Sequence, residues 1–143
     1  MVHHEQHPRD PGGAEPTGRD QHLAAFRERQ GLERDVSRFS KQLHQLGLES
    51  YGVSFHVGSQ MTKLDAWDSA LGDAKRVFDK LAQQGIFLKM VNMGGGFPTR
   101  YLKDIPTAQA YGQSIFASLR KHFGNRIPET IIEPGRGMVG NAG

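Results

Sequence analysis

The chain contains no cysteine among its 143 residues. This absence excludes disulfide bonds, thiolate metal sites and cysteine nucleophiles. No apolar run approaches the roughly 18 residues that a membrane-spanning helix needs, and the amino terminus lacks the apolar core of a signal peptide. The composition therefore favours a soluble protein of the cytoplasm.

Neither positive nor negative charge is in large excess. Lys and Arg total 18 against 15 Asp and Glu, which gives a formal net charge of +3. The basic residues do not concentrate on one predicted face, and no basic stripe with interleaved aromatic residues appears. We therefore expect neither a nucleic-acid partner nor a membrane partner.

Residues 1 to about 20 contain almost no apolar side chains. They hold three prolines and three histidines, His3, His4 and His7. Because such a segment buries too little apolar surface to offset its ordering entropy, we predict a disordered tail and no metal site. From His22 to Gly31 the sequence allows a short charged helix. Residues 1–34 are therefore predicted to be a disordered or weakly helical tail.

Three later segments carry apolar residues at spacings of three and four, which is typical of amphipathic helices. The predicted helices run from about Asp35 to Gly47, from the capping-box-like Thr62–Asp65 to near Gly85, and from Pro106–Thr107 to Gly124. In the second helix, Trp67 and Phe78 are interpreted as core residues. Asp68, Asp73 and Asp79 lie mostly off its apolar stripe, so we interpret them as surface charges.

A strand-like run follows each of these helices. The runs Tyr51–Phe55, Ile86–Val91 and Thr130–Ile132 lead into His56–Gln60, Met93–Pro98 and Glu133–Gly137. Right-handed crossovers in a parallel sheet place all carboxyl ends on one rim, so these three loops are expected to meet. The chain is too short for a closed eight-stranded barrel of roughly 250 residues, and we predict no helix after the third strand.

Three consecutive glycines, Gly94, Gly95 and Gly96, follow the second predicted strand. Without Cβ atoms, such a turn can direct main-chain N–H groups towards a phosphate. Each motif also has a simpler interpretation when it stands alone. The glycines can merely permit a turn, His56 can be a hydrogen-bonded core residue, and Glu133 with Arg136 can form a local salt bridge.

Together, the motifs His56-Val57-Gly58-Ser59-Gln60, Gly94-Gly95-Gly96-Phe97-Pro98 and Glu133-Pro134-Gly135-Arg136 resemble the fold type III pyridoxal-phosphate-dependent decarboxylases. This family includes the ornithine, lysine, arginine and diaminopimelate decarboxylases. The resemblance runs from about residue 35 to residue 143 and is strongest to bacterial ornithine or lysine decarboxylases. It implies that residues 35–143 form part of a TIM-like (β/α) barrel, an α/β fold with about three parallel strands.

The resemblance also implies a role for each motif. Pyridoxal 5'-phosphate is the implied cofactor, with His56 stacked on its ring and Ser59, Gly94, Gly95, Gly96 and Arg136 around its phosphate. Glu133 is expected to pair with the pyridine nitrogen and keep it protonated, which favours decarboxylation because a cationic ring accepts electrons better. His56 and Glu133 are thus the implied catalytic residues. A small basic amino acid is the implied substrate, and the full-length enzymes are expected to be homodimers.

The chain departs from the family in one important respect. The family's cofactor lysine lies on an early barrel strand, and no lysine here has a matching context; Lys89 lies within a predicted strand rather than at its ligand end. The acid, cysteine and tyrosine of the family's carboxyl-terminal part also have no counterpart. We therefore expect a truncated, remnant or frame-shifted decarboxylase that is inactive alone.

Several functional hypotheses follow from this resemblance. The first is a piece of a decarboxylase that converts ornithine to putrescine in polyamine biosynthesis. The second is a non-catalytic decarboxylase-like protein that binds a full-length partner, and the third is a nonfunctional fragment. Because three strands without closing neighbours leave two sheet edges exposed, we also expect a marginally stable chain that associates or aggregates.

Overall fold

The computed structural model describes residues 18–102 and 104–142. The part of the predicted tail before residue 18, with His3, His4 and His7, lies outside the described residues. The elements are, in order, α1 (Gly18–Gln45), β1 (Gly52–Ser54), α2 (Ala66–Ala82), β2 (Met90–Asn92), α3 (Ala108–Phe123), β3 (Glu129–Ile131) and α4 (Gly135–Val139). The chain divides into two units between Leu32 and Glu33, and the sheet belongs to the second.

The three strands form one parallel sheet in the order β1-β2-β3. Helices α2 and α3 make the two crossovers, so the predicted alternation of helix and parallel strand is confirmed. Parallel pairing also places the carboxyl ends of all three strands at one edge of the sheet. The loops after Ser54, Asn92 and Ile131 therefore start side by side.

One face of the sheet carries the core. Val53 and Val91 are paired on this face, and Val91 is fully buried. The core combines residues of β2, of the position directly after it, and of α2 and α3: Val91, Met93, Trp67, Leu71, Ala74, Tyr111, Ile115 and Leu119. Burying each large side chain contributes about 1.5–3 kcal/mol, so this cluster fixes the helices against the sheet. Trp67 is a core residue, as predicted, and Phe78 packs at its margin.

The opposite face of the sheet presents two registered rows. Gly52, Met90 and Glu129 form the first, and Ser54, Asn92 and Ile131 form the second. All three residues of β3 are exposed to solvent. Asn92, at the end of the central strand, therefore stands on the open face beside the rim.

The predicted boundaries of α3 are confirmed. The Thr107 side chain accepts a hydrogen bond from the Ala110 N–H at 3.1 Å, which caps the first turn. Gly124 ends the helix with a φ of 61°, a conformation that glycine adopts without strain. The predicted capping box of α2, with Thr62 as its first residue, is wrong, because the helix begins at Ala66. Its N-cap residue is therefore Asp65, which makes no side-chain capping hydrogen bond.

Helix α1 differs from its prediction. It is continuous from Gly18 to Gln45, where the sequence predicted a short charged helix followed by a second one. It ends as predicted just before Gly47, whose φ is 74°. Two residues of its apolar pattern, Phe39 and Leu46, are 60% and 74% exposed. Helical spacing thus identified the helix but not a buried face.

Two further predictions are corrected at the second and third strands. Strand β2 comprises only Met90–Asn92, because the start of the apolar run is not paired and Phe87 is 69% exposed. A short helix, α4, follows β3 where the sequence predicted none. Among the described helices, none has the length and apolar character required to cross a membrane.

Candidate cofactor site

The glycine run joins the two neighbouring loops at the carboxyl rim of the sheet. The Gly94 carbonyl accepts a hydrogen bond from the Glu133 N–H at 2.8 Å. On the other side, the Gly96 carbonyl accepts one from the Met61 N–H, also at 2.8 Å. The loops after β1, β2 and β3 are thus held together by main-chain contacts centred on the glycines.

A cleft of about 260 Å³ opens at this junction. Six of the seven predicted site residues line it: His56, Ser59, Gly95, Gly96, Glu133 and Arg136. They follow the three strands, with Arg136 in α4 and the other five in the loops, and the parallel topology brings them together. The seventh predicted residue, Gly94, does not line the cleft.

A larger cavity of about 730 Å³ lies at the other end of the sheet. Its lining includes Ser50, Phe87 and Lys89, which precede the strands rather than follow them. Open α/β sheets bind ligands beyond the carboxyl ends of their strands. The smaller cleft, which also gathers the chemically distinctive side chains, is therefore the candidate site.

Gly94 has a packing role. Its φ is 62°, and a Cβ at this position would stand 2.2 Å from the Phe55 carbonyl oxygen. Its N–H donates to the Asn92 side-chain oxygen at 2.9 Å, so it is not available to a ligand in this arrangement. Gly94 is needed because the loop after β1 passes too close for any side chain.

Gly95 and Gly96 differ from Gly94 in their hydrogen bonding. Within the described ranges, neither of their N–H groups has an assigned hydrogen-bond acceptor. A Cβ at Gly95 would lie 2.9 Å from the Glu133 carbonyl oxygen and 3.4 Å from His56 Nε2. The absence of a side chain thus lets the neighbouring loops close around two N–H groups beside the cleft, an arrangement that suits an anion.

The His56 ring is held by its own loop. Its Nδ1 accepts a hydrogen bond from the Gly58 N–H at 2.9 Å, so a neutral ring carries its proton on Nε2. His56 is exposed, which differs from the simpler interpretation as a core histidine. The ring therefore stands at the cleft, available to a flat ligand.

Glu133 and Arg136 do not form the salt bridge that was considered for them; no ion pair joins them in the described part of the chain. The Glu133 Oε1 instead accepts a hydrogen bond from Asn92 Nδ2 at 2.7 Å. Asn92 is not among the site residues predicted from the sequence. Its only local signal is an amide side chain at the strand end, directly before the glycine run.

A second network fixes the outer part of the rim. Gln60 Nε2 donates to the Thr99 carbonyl at 3.0 Å, and the Thr99 N–H donates to Gln60 Oε1 at 3.0 Å. The Thr99 hydroxyl is in turn 3.0 Å from Asn141 Oδ1. Gln60 has a φ of 54°, which is uncommon for a residue with a side chain. These contacts tie the loops after β1 and β2 to the end of α4.

The groups in the cleft form two chemically distinct sets. The N–H groups of Gly95 and Gly96, the Ser59 hydroxyl and the Arg136 guanidinium suit a phosphate. The Glu133 carboxylate suits a protonated ring nitrogen, and the flat imidazole of His56 suits an aromatic face. The residues present therefore fit a phosphorylated heteroaromatic cofactor.

Comparison with known proteins identifies such a family. The model of the pyridoxal-binding domain of the pyridoxal-dependent decarboxylases matches residues 26–140. A diaminopimelate decarboxylase of Neisseria meningitidis is 38% identical over 100 residues, which cover 69% of this chain and 24% of that protein. A lysine/ornithine decarboxylase of Selenomonas ruminantium is 35% identical over 104 residues, covering 71% and 26%.

The fold comparison agrees with the sequence comparison. A crystal structure of a lysine decarboxylase (SrLDC) in complex with PLP and cadaverine superposes with a TM-score of 0.66 at 31% identity, covering 74% of this chain and 28% of that one. The described strands and helices thus correspond to part of a TIM-like barrel. The chain spans about a quarter of the length of the curated relatives that it matches.

The family match begins at residue 26. It therefore includes part of the segment before residue 35 that sequence inspection had placed outside the resemblance. Charged helical residues carry few distinctive motifs, which explains why inspection did not find this part. The chain belongs to the pyridoxal-dependent decarboxylases, whose cofactor is pyridoxal 5'-phosphate, and corresponds to part of their pyridoxal-binding domain.

Proposed function

We propose that the cleft at the carboxyl rim binds pyridoxal 5'-phosphate and serves the decarboxylation of a basic amino acid in the cytoplasm. The observation that carries this proposal is the convergence on one cleft of six suitable residues from the segments that follow the three strands. The cleft offers donors for a phosphate, a carboxylate for a ring nitrogen and a flat imidazole, and no lysine lines it in the described part of the chain. No single motif in the sequence supports a cofactor site as strongly as these residues do together.

The phosphate end of the cofactor is assigned to the glycine side of the cleft. The N–H groups of Gly95 and Gly96 and the Ser59 hydroxyl supply neutral donors, and Arg136 supplies a positive charge. Hydrogen bonds to an ionised phosphate are shorter and stronger than neutral ones, and a guanidinium can make two in parallel. These residues therefore provide both affinity and orientation.

The ring end is assigned to His56 and Glu133. His56 is held through Nδ1 by Gly58, which leaves its flat face for the pyridine ring. Glu133 holds a proton at the ring nitrogen. When bound, the cofactor supplies an electron sink for the electrons released as carbon dioxide leaves. The protein's part is to orient the ring and keep it cationic.

Arg136 provides a direct test of this assignment. Replacing Arg136 with Gln should weaken pyridoxal 5'-phosphate binding by about tenfold, equivalent to about 1.4 kcal/mol, as measured by equilibrium dialysis. Binding of pyridoxal, which lacks the phosphate, should change by less than about twofold. Arg120→Gln on α3 removes an exposed arginine away from the cleft and is the matched control.

Two results would contradict the assignment. One is equal loss of affinity for pyridoxal 5'-phosphate in the Arg136 and Arg120 variants, which would indicate a general charge effect. The other is the absence of saturable cofactor binding by the parent chain. Either result would remove the cleft as the phosphate site.

Ornithine is the proposed substrate, with putrescine as the product and polyamine biosynthesis as the role. The similarity to a lysine/ornithine decarboxylase supports this choice, and the similarity to diaminopimelate decarboxylases makes diaminopimelate the main rival. Because the chain alone is expected to be inactive, the assay uses a longer protein in which this segment is joined to the remaining parts of a decarboxylase. Release of labelled carbon dioxide from ornithine, lysine, arginine and diaminopimelate then distinguishes the substrates. Preference for ornithine supports the proposal, and preference for diaminopimelate contradicts it. The active assembly is proposed to be a homodimer.

The second candidate is a non-catalytic protein that binds a full-length decarboxylase. Two observations favour it: no lysine lines the cleft in the described part of the chain, and β3 exposes Ile131 beside the exposed Ile132. It predicts co-purification with a full-length decarboxylase in the absence of cofactor. Carbon dioxide release by the chain alone would contradict this candidate and the expectation that the chain is inactive alone.

A further inference from the structure

We propose that Asn92 is a positioning residue that aims the Glu133 carboxylate at the ring nitrogen of the cofactor. This inference rests on the proposed function, since it concerns the same cleft. Asn92 does not line that cleft. It acts through Glu133 and is therefore a positioning residue rather than a catalytic one.

Both ends of the Asn92 amide are engaged. Its Nδ2 donates to Glu133 Oε1 at 2.7 Å, and its Oδ1 accepts from the Gly94 N–H at 2.9 Å. The reversed amide would place an oxygen against the carboxylate and an NH2 group against an N–H, so only one orientation satisfies both partners. Asn92 therefore has a defined direction as well as a defined place.

Glu133 depends on this contact for its side-chain position. It is exposed, it lies in the link between β3 and α4, and no cationic group is paired with it within residues 18–102 and 104–142. Its N–H is anchored to the Gly94 carbonyl at 2.8 Å, which fixes the backbone but not the side chain. The Asn92 amide orders the carboxylate and occupies Oε1, which leaves Oε2 for the ring nitrogen.

The same amide also links the two ends of the site. Through Gly94 it contacts the glycine run at the phosphate end, and through Glu133 it contacts the group at the ring end. A shift of one loop is therefore transmitted to the other through this side chain as well as through the hydrogen bond from the Glu133 N–H to the Gly94 carbonyl. The separation of phosphate and ring-nitrogen contacts is set by the protein before the cofactor enters.

A rival role is possible for Asn92, because its contact with Gly94 also shapes the glycine turn. Asn92→Asp separates the two roles. An aspartate keeps an oxygen for the Gly94 N–H but replaces the donor to Glu133 with a second carboxylate oxygen. A turn-shaping role predicts that this variant binds cofactor normally, whereas a positioning role predicts weakened binding.

The first experiment compares pyridoxal 5'-phosphate with its 1-deaza analogue, in which carbon replaces the ring nitrogen. Asn92→Asp should weaken binding of the natural cofactor by about tenfold, which is about 1.4 kcal/mol, and binding of the analogue by less than about twofold. Glu133→Gln should likewise reduce the preference of the parent chain for the natural cofactor. Asn141→Asp adds the same charge near the rim, away from the cleft lining, and should leave this preference unchanged.

The outcome is decided by the ratio of the two affinities. Unchanged binding of both ligands in Asn92→Asp, the result expected of a turn-shaping role, would overturn the inference. Equal loss for both ligands would also overturn it, because the effect would then not act through the ring nitrogen. Loss confined to the ligand with a ring nitrogen would support it. The urea unfolding midpoint of each variant confirms that the compared chains are folded.

The second experiment needs no cofactor and separates failure of this inference from failure of the proposed function. The side-chain amide resonance of Asn92 in an NMR spectrum should shift as the Glu133 carboxylate is protonated at low pH. This shift should disappear in Glu133→Gln. An Asn92 resonance with the same pH response in both chains would overturn the inference. If the resonance responds as expected but cofactor does not bind, the proposed function fails instead.

Discussion

Substitution of Gly95 by Ala tests how closely the three rim loops pack. The new Cβ would lie 2.9 Å from the Glu133 carbonyl oxygen and 3.4 Å from His56 Nε2. The first of these neighbours is backbone, so it cannot rotate away, and the Glu133 loop must move. Overpacking of this kind costs about 1–3 kcal/mol.

The same substitution also has a smaller, stabilising effect on the free energy of unfolding. Gly95 does not have a positive φ, so an alanine there is not strained by its backbone angles. Replacing such a glycine stabilises by about 0.4–1 kcal/mol through the unfolded chain. The expected net change is therefore a loss of about 1–2 kcal/mol in the free energy of unfolding, accompanied by weaker cofactor binding as Glu133 and His56 are displaced.

Gly112→Ala is the matched control for this substitution. Gly112 lies within α3, and a Cβ there would meet no atom within 4 Å. Alanine is favoured over glycine in a helix interior by about 1 kcal/mol, so this variant should be more stable than the parent. Urea unfolding measures both changes. A Gly95→Ala chain as stable as the parent, with unchanged cofactor affinity, would refute the close packing of the rim.

Three further predictions concern stability and association. The hydrogen bond from Lys121 at 2.7 Å, followed by the contact with His122 at 2.9 Å, lowers the pKa of Asp68. The stabilisation from these contacts is present above the ordinary pKa of Asp and is lost as pH falls through the lowered pKa. Asp68→Asn should therefore reduce the free energy of unfolding by about 1 kcal/mol near neutral pH and by progressively less in acid. Asp79→Asn, which breaks an exposed ion pair within one helix, should cost under about 0.5 kcal/mol. Equal costs for the two substitutions would contradict the stabilising link that Asp68 makes between α2 and α3. Thr107→Ala removes the α3 cap and should cost about 1 kcal/mol in urea unfolding, whereas an unchanged midpoint would show the cap to be dispensable. The exposed β3 edge should make the chain associate with rising concentration in sedimentation velocity, and a monomer at every concentration would contradict this.

Local sequence rules predicted the features of this fold that depend on short-range chemistry. Thr107 and Gly124 mark the ends of α3 because a hydroxyl cap and a left-handed glycine act within one helical turn. Parallel topology explains why His56 and Glu133, far apart in sequence, line the same cleft. These predictions required only the order of the elements and the residues that follow each strand.

Other features depend on contacts between distant residues and were not predictable from spacing. Gly94 is excluded from the cleft because the Phe55 carbonyl approaches it, a steric fact that no local pattern contains. Asn92 reaches Glu133 across 41 positions of sequence. The exposed Phe87 shows the same limit, since an apolar run does not reveal which of its residues has a neighbour to pack against.

The most direct test of the cofactor site is a titration of the chain with pyridoxal 5'-phosphate, followed through its backbone amide resonances by NMR. Saturable shifts should concentrate at Gly95, Gly96, His56 and Glu133. Shifts concentrated instead around the cavity lined by Ser50, at the opposite end of the sheet, or no saturable shifts at all, would contradict the proposed cofactor site.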